Sequence, residues 1–136
     1  MSSSTTSDHY SAFLTRQGFA ITRTEYGDIT IEREGRSYLL VIDEEDPELF
    51  RLVFPNFWKI ESDTERARAL HAAHAATAET KVAKVLVVGD NVWAGVEQFI
   101  PDLSIAEAVF ERAMVSIMSG AERFVSLMRS DAPAPE

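Results

Sequence analysis

The chain contains no cysteine, which excludes disulfide frameworks, thiolate metal sites and cysteine nucleophiles. It also has no apolar run approaching the ~20 residues that a helix needs to cross a bilayer. The first seven residues, Met1 to Ser7, lack the basic and apolar regions of a secretion signal. From these absences we expect a cytoplasmic protein that does not insert into membranes.

Catalytic and cofactor motifs are also missing. There is no Gly-x-Ser-x-Gly nucleophile elbow, no Gly-x-Gly-x-x-Gly fingerprint and no phosphate-binding loop ending in Gly-Lys-Ser/Thr. The sequence therefore predicts a protein that is not an enzyme and holds no cofactor.

The net charge of −9 also limits the possible functions. A negative protein repels the phosphate backbone of nucleic acids, and no stripe of Lys and Arg is interleaved with aromatic residues, so nucleic-acid binding is disfavoured. An acidic surface suits a partner that carries basic or amphipathic segments.

With 136 residues, the chain is long enough for one domain with its own core. The small and polar ends predict disordered tails at residues 1–7 and 130–136 around a single domain at residues 8–129.

The clearest local signal is the hairpin at residues 81–100. Two β-rich runs flank Gly89, Asp90 and Asn91, which are typical turn residues. The run from Val85 to Val88 is apolar on both faces, which predicts a central strand with helices packed over it.

Turn residues place four further strands before this hairpin. Gly27-Asp28 and Glu34-Gly35 suit two-residue hairpin loops, and a strand from Leu49 to Phe54 ends at Pro55. Ser7 or Asp8 is expected to begin a helix that ends near Gly18.

Two capping-box patterns, Ser62 to Glu65 and Ser104 to Glu107, predict an Ala-rich helix over 63–78 and an amphipathic helix from Ile105 to Arg129. Gly120 is expected to bend or divide the latter. The predicted fold is α+β, in the order α-β-β-β-β-α-β-β-α, with an antiparallel sheet and helices mainly on one face.

Histidines and carboxylates offer two weak metal patterns. His71 and His74 stand at i and i+3 and could bind a metal with Glu79, but no second ligand cluster has a recognisable spacing. The carboxylates at residues 43–48 lack the spacing and glycine of a calcium loop, so a solvated turn is the preferred interpretation. We therefore predict no metal site.

Aromatic residues are denser between residues 50 and 58 than one strand requires. Two interpretations stay open: these side chains belong to the core, or some of them contact a partner, as exposed aromatics often do. The residues predicted to bind a partner are Phe50, Phe54, Phe57, Trp58 and Trp93.

The passage from Thr80 to Glu97, Thr-Lys-Val-Ala-Lys-Val-Leu-Val-Val-Gly-Asp-Asn-Val-Trp-Ala-Gly-Val-Glu, resembles the YbjN-like proteins, as does the order of helices and strands. These small bacterial domains are described as sensory-transduction regulators and are similar in fold to type III secretion chaperones. The resemblance spans about residues 8–129. It implies a cytoplasmic, homodimeric domain that binds polypeptide or regulates without catalysis, and it supplies no catalytic residue.

Two functional hypotheses follow. The first is a non-catalytic peptide- or protein-binding module, chaperone-like or regulatory, which acts as a homodimer. The alternative is a small-molecule sensor whose pocket lies between sheet and helices, lined by Tyr38, Trp93 and Phe99.

Overall fold

A computed structural model describes residues 5–130, which form three helices and six strands in the predicted order. The helices are α1 (Thr6–Arg16), α2 (Asp63–Glu79) and α3 (Leu103–Arg129). The strands are β1 (Ala20–Arg23), β2 (Ile29–Arg33), β3 (Arg36–Val41), β4 (Leu49–Lys59), β5 (Lys84–Val88) and β6 (Asn91–Phe99). Of the predicted tails at residues 1–7 and 130–136, residues 1–4 and 131–136 lie outside the described part of the chain. The α+β class is confirmed.

All six strands belong to one antiparallel sheet with the order β1-β2-β3-β4-β6-β5. The prediction of a central strand at Val85–Val88 is wrong, because β5 lies at the edge of the sheet. Leu86 is 52% exposed and Val88 is 42% exposed. The apolar run is not buried on both faces, since its alternate side chains project from a sheet face that no helix within residues 5–130 covers.

Strand alternation divides the sheet into an inner face and an outer face. The inner face packs against the helices and is almost wholly apolar; it includes Ile29, Ile31, Tyr38, Leu40, Phe50, Leu52, Val85, Val92, Ala94 and Val96, all buried. The outer face carries the intervening residues, among them the ion pair of Arg51 and Glu97. The three helices therefore share one side of the sheet.

Helix α3 packs against the inner face through two phenylalanines. The ring of Phe110 makes edge contacts with Phe13, Phe19 and Phe50 at centroid distances of 5.9, 5.7 and 6.1 Å. Near the other end of the helix, Phe124 makes edge contacts with Phe57 and Trp58. These contacts join α1, α3 and β4 in one core.

The N-terminal end and the interior of α3 differ from the prediction, whereas the helix ends at Arg129 as predicted. Its N-cap is Asp102, which accepts a hydrogen bond from the Ser104 amide at 2.9 Å, so the capping box at Ser104 does not form. Gly120 does not divide the helix. A methyl group built on Gly120 would lie 3.2 Å from Val85, so the glycine lets α3 approach β5 closely.

Helix α1 begins at Thr6, earlier than predicted, because Thr5 and Asp8 form a capping box. The Glu44 carboxylate accepts hydrogen bonds from the amides of Thr6 and Ser7 at 2.9 and 3.0 Å. An anion at a helix N-terminus satisfies free amides and opposes the helix dipole. One carboxylate of the acidic segment therefore holds α1 against the body of the domain.

Helix α2 is capped by Ser62 as predicted, and it buries a surface made only of alanine: Ala69, Ala72, Ala73 and Ala76. Thr77 lies beside the outer edge of β5, where its hydroxyl accepts from the Val85 amide at 2.9 Å and donates to the Val85 carbonyl at 3.3 Å. The side chain occupies backbone groups that an edge strand otherwise leaves open.

The outer face is tightly packed around Gly95 in β6. A methyl group built on Gly95 would lie 2.8 Å from Cγ1 of Val53 and 3.1 Å from the Leu52 carbonyl oxygen. We predict that Gly95→Ala lowers the free energy of unfolding by about 1–3 kcal/mol, since overpacking forces neighbours to shift. Urea unfolding measures the change.

A double-mutant cycle with Val53→Ala identifies the cause. Because the tightest contact is with the Val53 side chain, the double variant should lose less free energy than the sum of the two single variants. Strict additivity would show that the strain does not lie at this contact.

Candidate functional site at an aromatic groove

The structure distributes the five predicted partner-binding aromatics over three environments. Phe50 is fully buried against Phe110, so its side chain is not available to a partner in this structure. Trp93 lies on the outer face and is half-buried. Phe54, Phe57 and Trp58 lie together on the helix side of β4, around an irregularity in that strand.

The irregularity is a break in register between β4 and β6. Phe54 pairs with Ala94 and Trp58 pairs with Val92, so β4 advances four residues while β6 advances two. Pro55 lacks an amide proton, and Asn56 adopts a φ of +53°, a left-handed conformation that asparagine tolerates. Such bulges bend a strand and redirect its side chains.

A hydrogen bond across the sheet fixes this bulge. The indole Nε1 of Trp93 donates to the Asn56 side-chain oxygen at 2.8 Å. Trp93 therefore contributes to the site from the outer face, by holding Asn56 in place.

The bulge brings Phe57 back over Phe54. The two rings stack with centroids 5.4 Å apart and an interplanar angle of 5°. Tyr38 lies behind Phe54 at 5.4 Å. Burial raises the pKa of the Tyr38 phenol above its ordinary value, so this wall stays uncharged at neutral pH.

These stacked rings form one side of an open groove, and α3 forms the other. The aromatic groove has a volume of about 430 Å³ and an apolar lining of Phe54, Phe57, Met118, Ala121 and Val125. Its rim is polar and of mixed charge: Arg36, Glu122, Ser126 and Arg129. This combination of half-buried apolar surface and polar rim is typical of protein interfaces.

Met118 and Val125 are not among the site residues predicted from the sequence. Each lies next to the predicted stripe on α3, beside Ile117 and Phe124, and each is only partly buried. Apolar residues that widen a helical stripe beyond its buried centre are the signal that would have indicated them.

The residues of the other predicted sites do not come together in the structure. Tyr38 is on the inner face, whereas Trp93 and Phe99 are on the outer face, so the three do not line one pocket. His71 and His74 are exposed, and the Glu79 carboxylate pairs with Arg123. Within residues 5–130, no three His, Asp or Glu side chains are grouped to hold a metal ion.

Comparison of the chain with models of known protein families finds no match, and comparison with curated proteins finds none. Among the described helices, none combines the length and apolar character needed to cross a membrane.

Substitutions of Trp58 distinguish what its ring contributes by packing from what its indole N–H contributes by hydrogen bonding. Its ring contacts the buried Phe124 at 5.7 Å, while its buried Nε1 has no hydrogen-bond partner in the described part of the chain. We predict that Trp58→Phe changes the free energy of unfolding by less than about 1 kcal/mol, because removing an unsatisfied donor offsets the lost contact area.

Trp58→Ala removes the ring entirely and should cost about 2–3 kcal/mol, since the side chain is only partly buried. Chemical denaturation of both variants checks the pair. If the phenylalanine and alanine variants lose the same free energy of unfolding, the indole N–H of Trp58 contributes a stabilising hydrogen bond.

Proposed function

We propose that this protein is a non-catalytic peptide- or protein-binding module that receives apolar side chains of its partner in the aromatic groove. The observation that carries the proposal is the parallel stack of Phe54 and Phe57, held half-exposed opposite α3. Phenylalanine, like the other aromatic residues, is enriched at protein interfaces relative to the rest of the surface.

The shape and charge of the groove support a polypeptide ligand. It is open along one side, so it suits side chains presented by a chain that continues beyond it. Arg36 and Arg129 lie at its rim together with Glu122, which suits a partner with charges of both signs next to its apolar residues. The resemblance to YbjN-like regulators and secretion chaperones favours the same class of function.

The proposal includes a homodimer. None of the described helices covers the outer face of the sheet, which carries exposed apolar side chains, with Leu86 52% and Phe99 79% exposed. A second copy that covers this face would remove that surface from water. The groove lies on the other side of the sheet and would stay open in such a dimer.

A charge placed in the groove tests the binding module. Met118→Glu puts a carboxylate against apolar surface and should lower affinity for a partner by about 10-fold or more, because burying an unpaired charge is costly. The partner is first captured in expressing cells by a photo-crosslinking amino acid at Val125, and its affinity is then measured by calorimetry with purified proteins.

Leu70→Glu is the matched control. Leu70 is 54% exposed on α2 and lies away from the groove. The same change in charge at this position should therefore leave the affinity for the partner unchanged. If both variants bind as tightly as the wild type, the aromatic groove is not the binding site.

The homodimer has a separate test. Leu86→Lys adds a charge to the exposed outer face and should convert a dimer to a monomer in sedimentation equilibrium, with little loss of stability at this exposed position. A wild-type chain that sediments as a monomer at high concentration would contradict this part of the proposal.

A further inference from the structure

Strand β5 covers only part of β6. The last pair between them is Lys84 with Gly95, although β6 continues to Phe99. Beyond Gly95, β6 pairs with β4 on one side, as far as Leu49 with Phe99. On its other side, no strand of the described chain pairs with residues 96–99.

The free side presents backbone groups that are suited to a strand. In an antiparallel ladder, successive residues direct their N–H and C=O groups to opposite neighbours. The Ile100 amide donates to the Glu48 carbonyl at 2.7 Å, on the β4 side. By alternation, the backbone groups of Glu97 and Phe99 are directed to the side that β5 leaves open, where residues 5–130 offer them no backbone partner.

A strained turn stops β5 at this point. Val82 has a φ of +70°, which is unfavourable for a β-branched residue. The Ala83 amide donates to the Lys81 carbonyl at 2.8 Å, and a bond between residues i+2 and i closes a γ-turn of the rare, strained kind.

Ser116 of α3 holds this turn. Its hydroxyl donates to the Lys81 carbonyl and accepts from the Ala83 amide, the latter at 3.2 Å. Strained backbone persists where its surroundings fix it, and it is concentrated at functional sites.

Between the turn and α3 lies a cleft of about 190 Å³, lined on its apolar side by Val96, Val109 and Ala113. Lys81 and Arg112 also line it, and neither forms an ion pair with any side chain in residues 5–130. In a chain of net charge −9, two unpaired cations at one cleft favour an anionic ligand.

We propose that an extended acidic peptide adds to β6 beside Glu97 and Phe99 and continues the sheet where β5 ends. Its backbone pairs with these two residues. On the helix side, an apolar side chain enters the cleft, and a carboxylate two residues away contacts Lys81 and Arg112. This site is separate from the aromatic groove and does not depend on it.

Two other occupants fit less well. A second copy paired through the same edge would bring Lys81 and Arg112 of both copies close to one another, and like charges oppose such a contact. The chain's own C-terminal segment, Asp-Ala-Pro-Ala-Pro-Glu, offers no apolar side chain larger than proline to fill the cleft, and its two prolines have no amide proton to donate to the ladder.

The test uses the full ¹⁵N-labelled chain and the capped peptide acetyl-Thr-Val-Thr-Glu-Thr-amide, which places valine and glutamate on one face. Titration should shift the amide resonances of Glu97 and Phe99 and slow their hydrogen exchange. The same peptide with N-methylated backbone amides should lose this effect, because it cannot pair.

Charge variants identify the carboxylate contact. Lys81→Gln and Arg112→Gln should each weaken binding by roughly two- to fivefold, the range for an exposed ion pair. Arg16→Gln on α1 is the matched control, since Arg16 is exposed and lies outside the cleft. It should leave affinity unchanged.

Three outcomes would overturn the proposal: no shift at Glu97 or Phe99 at millimolar peptide, equal binding of the N-methylated peptide, or equal loss in all three charge variants. Protection of Glu97 and Phe99 that rises with protein concentration in the absence of peptide would identify a second copy as the occupant. None of these results bears on binding at the aromatic groove.

Discussion

The packing of α3 along β4 is the constraint on which the rest of the domain depends. Phe110 contacts Phe50 near the start of β4, and Phe124 contacts Phe57 and Trp58 near its end. Fourteen helical residues span about 21 Å. Eight fully extended residues from Phe50 to Trp58 would span about 26 Å, which is too long. The two extra residues at the bulge shorten the strand to about 20 Å, so the break in β4 matches the two elements in length.

The alanine-rich surface of helix α2 follows from the position of α3 on the sheet. Since α3 occupies the middle of the inner face, a second helix that contacts both α3 and β5 has to be thin, and the buried surface of α2 is made only of alanine. Its Thr77 also occupies the backbone groups of Val85 at the sheet edge. An alanine-rich sequence is therefore a packing solution here and indicates no ligand.

Much of this architecture could be predicted from the sequence, because it depends on local signals. Glu34 and Gly35 both have positive φ, as a two-residue hairpin turn requires, and Ser62 caps α2. The order of strands in the sheet depends on long-range pairing, so the apolar run at Val85–Val88 predicts a central strand although it forms an edge. Likewise, Ser104 fits a capping box, but Asp102 is two residues earlier and caps α3 instead.

The candidate site was only partly predictable for the same reason. The density of aromatic residues at 50–58 identifies the correct strand, but the prediction that the strand ends at Pro55 is wrong, because β4 continues through a bulge at Pro55 and Asn56 to Lys59. Which rings would face a groove depended on the register with β6 and on the bond from Trp93 to Asn56, neither of which has a local signature. Met118 and Val125 join the groove only because α3 packs at this angle to β4.

Both proposed sites lie where strand pairing is interrupted. At the bulge, β4 leaves the ladder for three residues and exposes stacked rings. Beyond Gly95, β5 no longer pairs with β6, which exposes backbone groups of β6. Each interruption includes a non-glycine residue in the left-handed region, Asn56 in one and Val82 in the other. Asparagine adopts this conformation at little cost, whereas valine does not. The bulge is thus explained by the length match between β4 and α3, while the turn at Val82 has no such packing reason. That difference makes the open edge of β6 the more informative of the two, because strained backbone that a neighbouring side chain holds in place, as Ser116 does here, is concentrated at functional sites.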